Sequence, residues 1–173
     1  MKFLLSIIIS IFLLLINTAN SEQNIAFIDM DRVISTSKAG SSILKQLTNI
    51  NKKNMIFLKN EEKKFKENEA KLISQKNIIS ETDLQTKIDN LKSKINIYNK
   101  NRTKMIEDFN KLKVENTNKL LTLINPILVR FSNEKKFSII LQKKDLIIGK
   151  TELDITDAII KIINNEIKEF KIK

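Results

Sequence analysis

The stretch "NIISETDLQTKID", residues 77–89, places a helix start in the middle of the chain. Ser80 and Asp83 have the spacing of a capping box, in which a serine at the N-cap pairs with an acidic residue three positions later. Ile79 and Leu84 stand where a hydrophobic staple would stand. Because the segments on both sides are long and helical in pattern, this signal predicts that the chain reverses here and that two helices pair.

Both flanking segments show the heptad spacing of a coiled-coil seam. In the first segment the apolar positions are Leu44, Leu58, Phe65, Leu72 and Ile79, and Asn51 interrupts them. In the second segment the seam is Leu84, Ile88, Leu91, Ile95, Tyr98, Arg102, Met105, Phe109 and Leu112. Asn125-Pro126 predicts a kink or an interruption. The pattern predicts an antiparallel helical hairpin over residues 37–133, with its tip near 78–83 and a thin, compliant seam.

The two ends of the chain predict a small β-rich body, residues 22–36 and 134–173. The apolar run that begins "NIAFI" at Asn24 is typical of a buried strand, and residues 137–141 and 146–148 are expected to pair as a β-hairpin. Asp154 and Asp157 have capping-box spacing and predict the start of a C-terminal helix. A body of roughly fifty residues is close to the lower limit for independent folding, so we expect it to oligomerise.

The positive charge is concentrated in the predicted hairpin. Residues 37–133 contain 20 Lys and Arg residues against 10 Asp and Glu residues, a net charge of +10, whereas residues 22–36 and 134–173 together are neutral. A bias in codon usage would spread the lysines evenly, so this asymmetry favours an anionic partner for the hairpin, although a merely solvated face is the alternative. The chain contains no His and no Cys, which removes the commonest catalytic and metal-binding sets.

The first 21 residues have the order of a secretory signal peptide: Lys2, an apolar run over 3–16, and then small residues. Cleavage is expected after Ser21 or after Ala19. An uncleaved anchor is the alternative, but this run of 14 residues, which Ser6 and Ser10 interrupt, is shorter than the about 20 that a spanning helix needs.

In this arrangement the sequence resembles the Skp/OmpH family of periplasmic chaperones. The resemblance rests on "IAFIDMDRVISTSKAG" at 25–40 and on "NPILVRFSNEKKFSIILQKKDLIIGKTELDITDAIIKIIN" at 125–164, with a basic helical hairpin between them. Lys136 and Phe137 stand where many members have a glycine and an aromatic residue.

The resemblance implies an α+β fold in which a small β-rich body forms a trimeric barrel and three hairpins project from it like tentacles, together with a C-terminal helix. It implies an ATP-independent periplasmic holdase that captures unfolded outer-membrane proteins between basic arms. The expected partners are these clients, two further copies of the chain, and anionic lipid or lipopolysaccharide, with no nucleic acid, no metal and no cofactor. We expect no enzymatic activity. The alternative is a basic coiled-coil envelope protein that binds nucleic acid or anionic lipid headgroups.

Three groups of residues follow from this interpretation. The first two are expected to bind clients: the basic residues Lys52, Lys53, Lys63, Lys64, Lys100 and Arg102, and the apolar residues outside the seam, Met55, Ile73, Ile97, Ile106 and Val114. A solvated face, ordinary exposed apolar residues and an ion pair of Arg102 across the hairpin are the competing explanations. The third group is expected to form the oligomeric body: Ile25, Phe27, Phe137, Ile139, Leu141, Leu146 and Ile148. The acid pairs Asp29/Asp31 and Asp154/Asp157 are interpreted as helix caps.

Overall fold

A computed structural model describes residues 24–172, so the predicted signal peptide lies outside the described residues. The fold is α+β and mostly helical, with a single two-stranded sheet among these residues. In chain order the elements are β1 (Asn24–Ile28), α1 (Met30–Thr36), α2 (Lys38–Gln75), α3 (Glu81–Lys135), β2 (Phe137–Gln142) and α4 (Thr156–Glu166). Two 3-10 turns, Lys143–Asp145 and Thr151–Leu153, lie between β2 and α4.

Helices α2 and α3 form the predicted hairpin, and α3 starts at the predicted position. Ser80 is the N-cap, and its hydroxyl oxygen accepts a hydrogen bond from the Asp83 backbone N–H at 3.1 Å. At 1.5 Å per residue, the 38 residues of α2 span about 57 Å. Of the two outcomes predicted at Pro126, the interruption is wrong, because Pro126 lies inside a continuous helix of 55 residues, and the kink stays a prediction.

The seam between α2 and α3 is thin along most of the hairpin. Within residues 48–115 every seam side chain is half-buried at best, and the closest aromatic contact is an edge-to-face pair of Phe65 and Tyr98 with ring centroids 5.3 Å apart. The heptad position assigned to Leu44 is wrong: Leu44 is exposed, while Ile43 and Leu47 are buried. Close to the root of the hairpin α2 packs against more than one partner, and the buried face therefore shifts.

The fully buried side chains cluster where the root of the hairpin meets the other elements. We call residues 24–47 and 116–172 the base, and residues 48–115 the free arm. The core of the base takes in parts of the segment assigned to the hairpin, and the boundaries predicted at 36/37 and 133/134 stay a prediction. The buried apolar residues are Ala26, Phe27, Ile28, Val33, Ala39, Ile43, Leu47, Leu120, Ile124, Ile127, Phe131, Ile155, Ile159 and Ile163.

The junction of α1 and α2 has no space for a larger side chain at Gly40. A Cβ at this position would lie 1.9 Å from the Ile34 carbonyl oxygen. Ser37, fully buried beside it, caps α2 by accepting a hydrogen bond from the Gly40 N–H at 3.2 Å. This close contact fixes the direction in which α2 leaves the base.

The two strands come from opposite ends of the described chain. β1 pairs with β2 in parallel, with Ala26 opposite Ile140 and Phe27 opposite Leu141. Parallel strands need a long crossover connection, and here the entire hairpin provides it. The predicted β-hairpin of 137–141 with 146–148 is wrong: a 3-10 turn follows β2, and residues 146–148 form no strand.

The C-terminal helix begins one residue later than predicted, at Thr156, and the predicted capping box of Asp154 and Asp157 is wrong. The N-cap residue is Ile155, without a side-chain cap. The reason is a tertiary contact. The Ile155 backbone N–H donates to the Phe27 carbonyl at 3.0 Å, so residues 154–155 pair with β1 and the helix begins only after them.

Candidate functional site

The positive charge of the free arm lies in its middle and not at its tip. Residues 48–60 and 91–104 contain eight Lys and Arg residues and no acidic residue, and we call these two stretches the basic belt. The tip, residues 77–90, has three acidic residues and one lysine. The contact of Phe65 with Tyr98 shows that the stretch 91–104 lies beside the α2 residues that follow 48–60. The two stretches therefore follow one another along the arm on opposite helices, and acidic residues of the facing helix lie beside each of them: Glu62 beside Tyr98, and Asp108 beside Asn54.

The predicted basic residues divide into two sets. Lys52, Lys53, Lys100 and Arg102 are exposed and form no ion pair within residues 24–172. Lys63 and Lys64, by contrast, have partners on their own helix: the Lys63 ammonium is 3.8 Å from Glu67, and the Lys64 ammonium is 2.7 Å from Glu61. The proposed ion pair of Arg102 across the hairpin is therefore wrong for the described residues. The first set lies in the basic belt and is available to an anionic partner.

The predicted apolar contact residues all lie outside the seam. Met55, Ile73, Ile97, Ile106 and Val114 have exposed fractions between 47% and 70%. Their part in binding stays a prediction, since exposure alone does not identify a partner.

Sequence reasoning missed two neighbours, Ile56 and Phe57, which are half exposed. Together with Met55 they form the run "MIF", and three consecutive helical residues project over more than half of the helix circumference. They cannot all face one seam, so this run could have been recognised from the sequence as a partly exposed apolar collar.

A groove of about 650 Å³ opens between α2 and α3 in the middle of the arm. It brings together three of the predicted site residues, Met55, Arg102 and Ile106, next to Asn51 and Asn54. The seam residues Leu58, Met105 and Phe109 also line the groove, so its surface is mostly apolar and is accessible from outside the arm. The other predicted site residues lie outside the central groove. Ile97 lines a smaller groove, and Ile73 lines a groove near the tip. None of these three grooves is lined by Lys52, Lys53, Lys63, Lys64, Lys100 or Val114.

Tyr98 links the two helices beside this groove. Its hydroxyl donates to the Glu62 carboxylate at 2.7 Å. Partial burial, followed by the hydrogen bond and the negative charge of Glu62, raises the pKa of Tyr98 above its ordinary value. The phenol therefore remains neutral and keeps donating at physiological pH.

Besides the basic belt of the arm, the protein has an exposed apolar surface on its base. Ile147 and Ile148 are almost completely exposed, at 105% and 90% of the reference area. Ile139 and Leu141, on one side of β2, are partly exposed, and so is Ile25 of β1.

The other predicted body residues contribute to the base itself. Phe27 is buried within its own chain, and Phe137 and Leu146 are half-buried. A Cβ at Gly149 would lie 2.7 Å from the Phe27 ring, so the segment with Ile147 and Ile148 is anchored beside this ring while its isoleucines project outward.

The acid pairs have structural partners. Asp29 caps α1 by accepting from the Arg32 backbone N–H at 2.9 Å, as predicted. The Asp154 carboxylate accepts from the hydroxyl and the backbone N–H of Thr156 and from the Lys143 ammonium at 3.0 Å. Burial favours its neutral form, but these donors outweigh burial and lower the pKa of Asp154. Within residues 24–172 no group of three acidic side chains is placed to hold a metal ion.

With this geometry established, the family of the protein follows from its sequence. Residues 24–163, which include β1, the entire hairpin, β2 and most of α4, match the family described as Outer membrane protein (OmpH-like). The chain belongs to the OmpH-like family. The match ends at residue 163, so the last residues of the OmpH-like chain, 164–172 among those described, lie beyond it.

The fold is shared with a solved structure from Caulobacter crescentus CB15, a candidate outer membrane chaperone (OmpH-like). The two have a TM-score of 0.77 at 17% sequence identity, over 86% of this chain and 88% of that one. No curated protein has a sequence significantly similar to this OmpH-like chain.

None of the helices in the described part of the chain combines the length and the apolar character needed to cross a membrane.

Proposed function

We propose that this OmpH-like protein is an ATP-independent holdase chaperone of the periplasm, which captures unfolded outer-membrane proteins and prevents their aggregation. One observation carries the proposal: the two stretches of the basic belt contribute eight positive charges and no acidic residue of their own, and exposed apolar side chains lie with them on a slender arm. The predicted signal peptide, residues 1–21, supports export. The description of the Caulobacter structure as an outer membrane chaperone supports the same role.

In this proposal the arm holds its client by two kinds of contact. Lys52, Lys53, Lys100 and Arg102 attract anionic segments over about one Debye length, which is about 8 Å at physiological salt. The apolar collar around Met55 and the neighbouring Ile97 and Ile106 then make non-directional contacts with apolar segments. Binding the unfolded chain in this way shifts its equilibrium away from aggregates without catalysis or nucleotide.

The proposal also includes a homotrimer whose arms enclose a cavity. The exposed isoleucines 147 and 148 and the outer side of β2 support association, because a contiguous exposed apolar surface is typical of an interface. The number three is what the resemblance to Skp/OmpH implies. A cavity between three arms brings three basic belts to bear on one client, which raises the local positive charge.

Neutralising the belt tests the capture of clients. We expect a variant with Lys52, Lys53, Lys100 and Arg102 changed to Gln to lose at least about tenfold in affinity for a urea-unfolded outer-membrane protein, measured by light scattering during dilution. Its control carries four Lys→Gln changes in the base, at 135, 144, 150 and 161, and has the same net charge. The wild-type protein should bind more weakly as salt rises from about 0.1 M to about 1 M, where the Debye length falls from about 10 Å to about 3 Å.

Equal losses in the two variants, or an affinity that does not change with salt, would contradict this mechanism. Tighter binding of DNA or of anionic vesicles than of the unfolded client would instead favour the basic coiled-coil protein that binds nucleic acid or lipid headgroups.

Charging the apolar surface of the base tests association separately. We expect Ile147→Asp with Ile148→Asp to give monomers in sedimentation experiments, since burying two unpaired carboxylates in an interface is costly. The control is Ile73→Asp with Ile78→Asp near the arm tip, where both side chains are also largely exposed. A wild-type monomer in solution would overturn the trimer.

A further inference from the structure

The described residues that follow α4, 167–172, lie across the root of the hairpin. α4 ends at Glu166, and Ile167 has extended backbone angles, φ −99° and ψ 114°. Ile167, Phe170 and Ile172 are half-buried and pack against the core, while the residues between them, Lys168, Glu169 and Lys171, are exposed. We call residues 167–172 the tail; it lies outside the part of the chain that matches the family.

One side chain of α2 holds the tail as a neighbouring strand would. The Gln46 amide nitrogen donates to the Phe170 carbonyl at 3.0 Å, and its oxygen accepts from the Ile172 N–H at 3.1 Å. These two backbone groups flank Lys171 and are the pair that one residue of a parallel strand would engage. Hydrogen bonds of this kind depend on extended backbone and not on the side chains of the bound segment.

The amide of Gln46 is oriented by its own helix. Its nitrogen also approaches the Ser42 carbonyl, at 3.3 Å. The reversed orientation of the amide would place its oxygen against two carbonyl oxygens, which cannot donate. Because Ser42 belongs to α2, this constraint on the amide remains when the tail leaves. The site is therefore largely formed without its occupant.

The surroundings of Gln46 select for apolar residues at alternate positions. Phe170 and Ile172 point to the core side of the tail, and the Lys119 ammonium lies 5.7 Å from the centre of the Phe170 ring, within cation–π distance. Alternating apolar residues in an extended chain are the pattern of a strand from a membrane β-barrel.

The tail is held by few contacts. Within the described residues, the backbone of 168–172 forms hydrogen bonds only with Gln46, and its charged side chains form no ion pair. Segments with so few hydrogen bonds open locally at low cost in free energy.

We propose that Gln46 and the adjacent apolar surface form a binding site for extended polypeptide with alternating apolar residues, and that the tail occupies this site until such a segment replaces it. This inference depends on the proposed function in one respect only, namely that the bound segment comes from an unfolded outer-membrane protein. It lies at the root of the hairpin, apart from the basic belt.

A full-length variant with Phe170→Ser and Ile172→Ser vacates the site and tests the proposal. We expect it to bind a fluorescent peptide with the tail sequence IKEFKI, and an unrelated alternating peptide with Phe two residues before Ile, by fluorescence anisotropy. A peptide of the same composition without alternation should not bind. The wild-type protein should bind at least about tenfold more weakly, because the tethered tail competes at an effective concentration in the millimolar range.

Adding Gln46→Met to the vacated variant should weaken peptide binding about tenfold, the loss expected for two hydrogen bonds. Gln85→Met, near the arm tip, is the matched control. The proposal is overturned if Gln46→Met leaves peptide binding unchanged. It is also overturned if the vacated variant binds the tail peptide but not the unrelated alternating peptide, because the site would then be specific for the tail.

A second measurement uses only the wild-type protein. Excess alternating peptide should accelerate amide hydrogen exchange in the tail, and at Ile172 above all; unchanged exchange overturns the proposal. Failure of these peptide experiments while the protein still suppresses client aggregation would overturn the tail site and leave the proposed function intact.

Discussion

The base and the free arm share the same two helices but are stabilised to very different degrees. In the base, α2 and α3 pack against α1, α4 and the sheet, and Leu120, Ile124 and Ile159 are completely buried. In the free arm the same helices have only each other, and none of the side chains in residues 48–115 is fully buried. Since most helical stability comes from packing of an apolar face, the arm is expected to open locally while the base remains folded.

This difference suits the proposed function. An arm with a thin seam and an open groove at its centre can bend around clients of different shape, whereas the base must hold the subunit together. The comparison can be tested by making the same chemical change in both regions, and two pairs of variants do so. A third pair lies within the base and isolates one charge there, and the three follow in decreasing order of expected effect.

The largest effect is expected for the pair Leu120→Ala and Leu91→Ala, both on α3. Leu120 is fully buried in the base, so its truncation leaves a cavity and should lower the free energy of unfolding by about 2–5 kcal/mol. Leu91 is half-buried in the arm, and its truncation should cost no more than about 1.5 kcal/mol. Chemical denaturation followed by circular dichroism measures both. Equal losses would mean that arm and base unfold as one unit.

A smaller effect is expected for the two N-cap serines. Ser37→Ala removes a buried cap in the base and should lower the global free energy of unfolding by about 1–2 kcal/mol. Ser80→Ala removes the same kind of hydrogen bond at the exposed tip, where it should accelerate amide exchange over residues 81–90 and leave the global transition unchanged. A global loss from Ser80→Ala would show that the tip is coupled to the base.

The smallest effect on the free energy of unfolding is expected from Asp154→Asn, and this effect should depend on pH. The pKa of Asp154 is lower in the folded state than in the unfolded chain, so the carboxylate stabilises the base above its ordinary pKa of about 4. That contribution is lost as pH falls through the folded-state pKa. The wild-type advantage over Asp154→Asn should thus shrink from about pH 6 to about pH 3, and it should remain below about 1 kcal/mol.

Asp145→Asn is the control for this change, because Asp145 is exposed and its carboxylate forms no ion pair among residues 24–172. Thermal unfolding across the pH series measures both variants. A difference between wild type and Asp154→Asn that stays constant with pH would contradict the assigned cause of the shift.

The hairpin was accessible from the sequence because its signals are local. The capping serine at position 80, the spacing of Leu84, Ile88 and Leu91, and the charge of the arm all depend on residues within a few helical turns. The exposure of Met55, Ile73 and Ile97 follows from the same periodicity. What these exposed residues bind is not contained in the periodicity and stays a prediction.

The base required the tertiary structure. β1 and β2 lie more than 100 residues apart in sequence, and nothing local to Ile139 or Leu141 indicates that β1 is their partner rather than residues 146–148. The start of α4 depends on the contact of Ile155 with Phe27. Which face of α2 is buried near Ile43 depends on the other elements of the base that share its core.

The sequence by itself thus determined the helices, their pairing and the charge of the arm, since these arise from periodicity and from residues close in the chain. Only the tertiary structure decided the parallel sheet, the shifted start of α4 and the contact of Gln46 with the tail. Those features join segments that are distant in sequence, and their energies depend on which surfaces meet once the chain has folded.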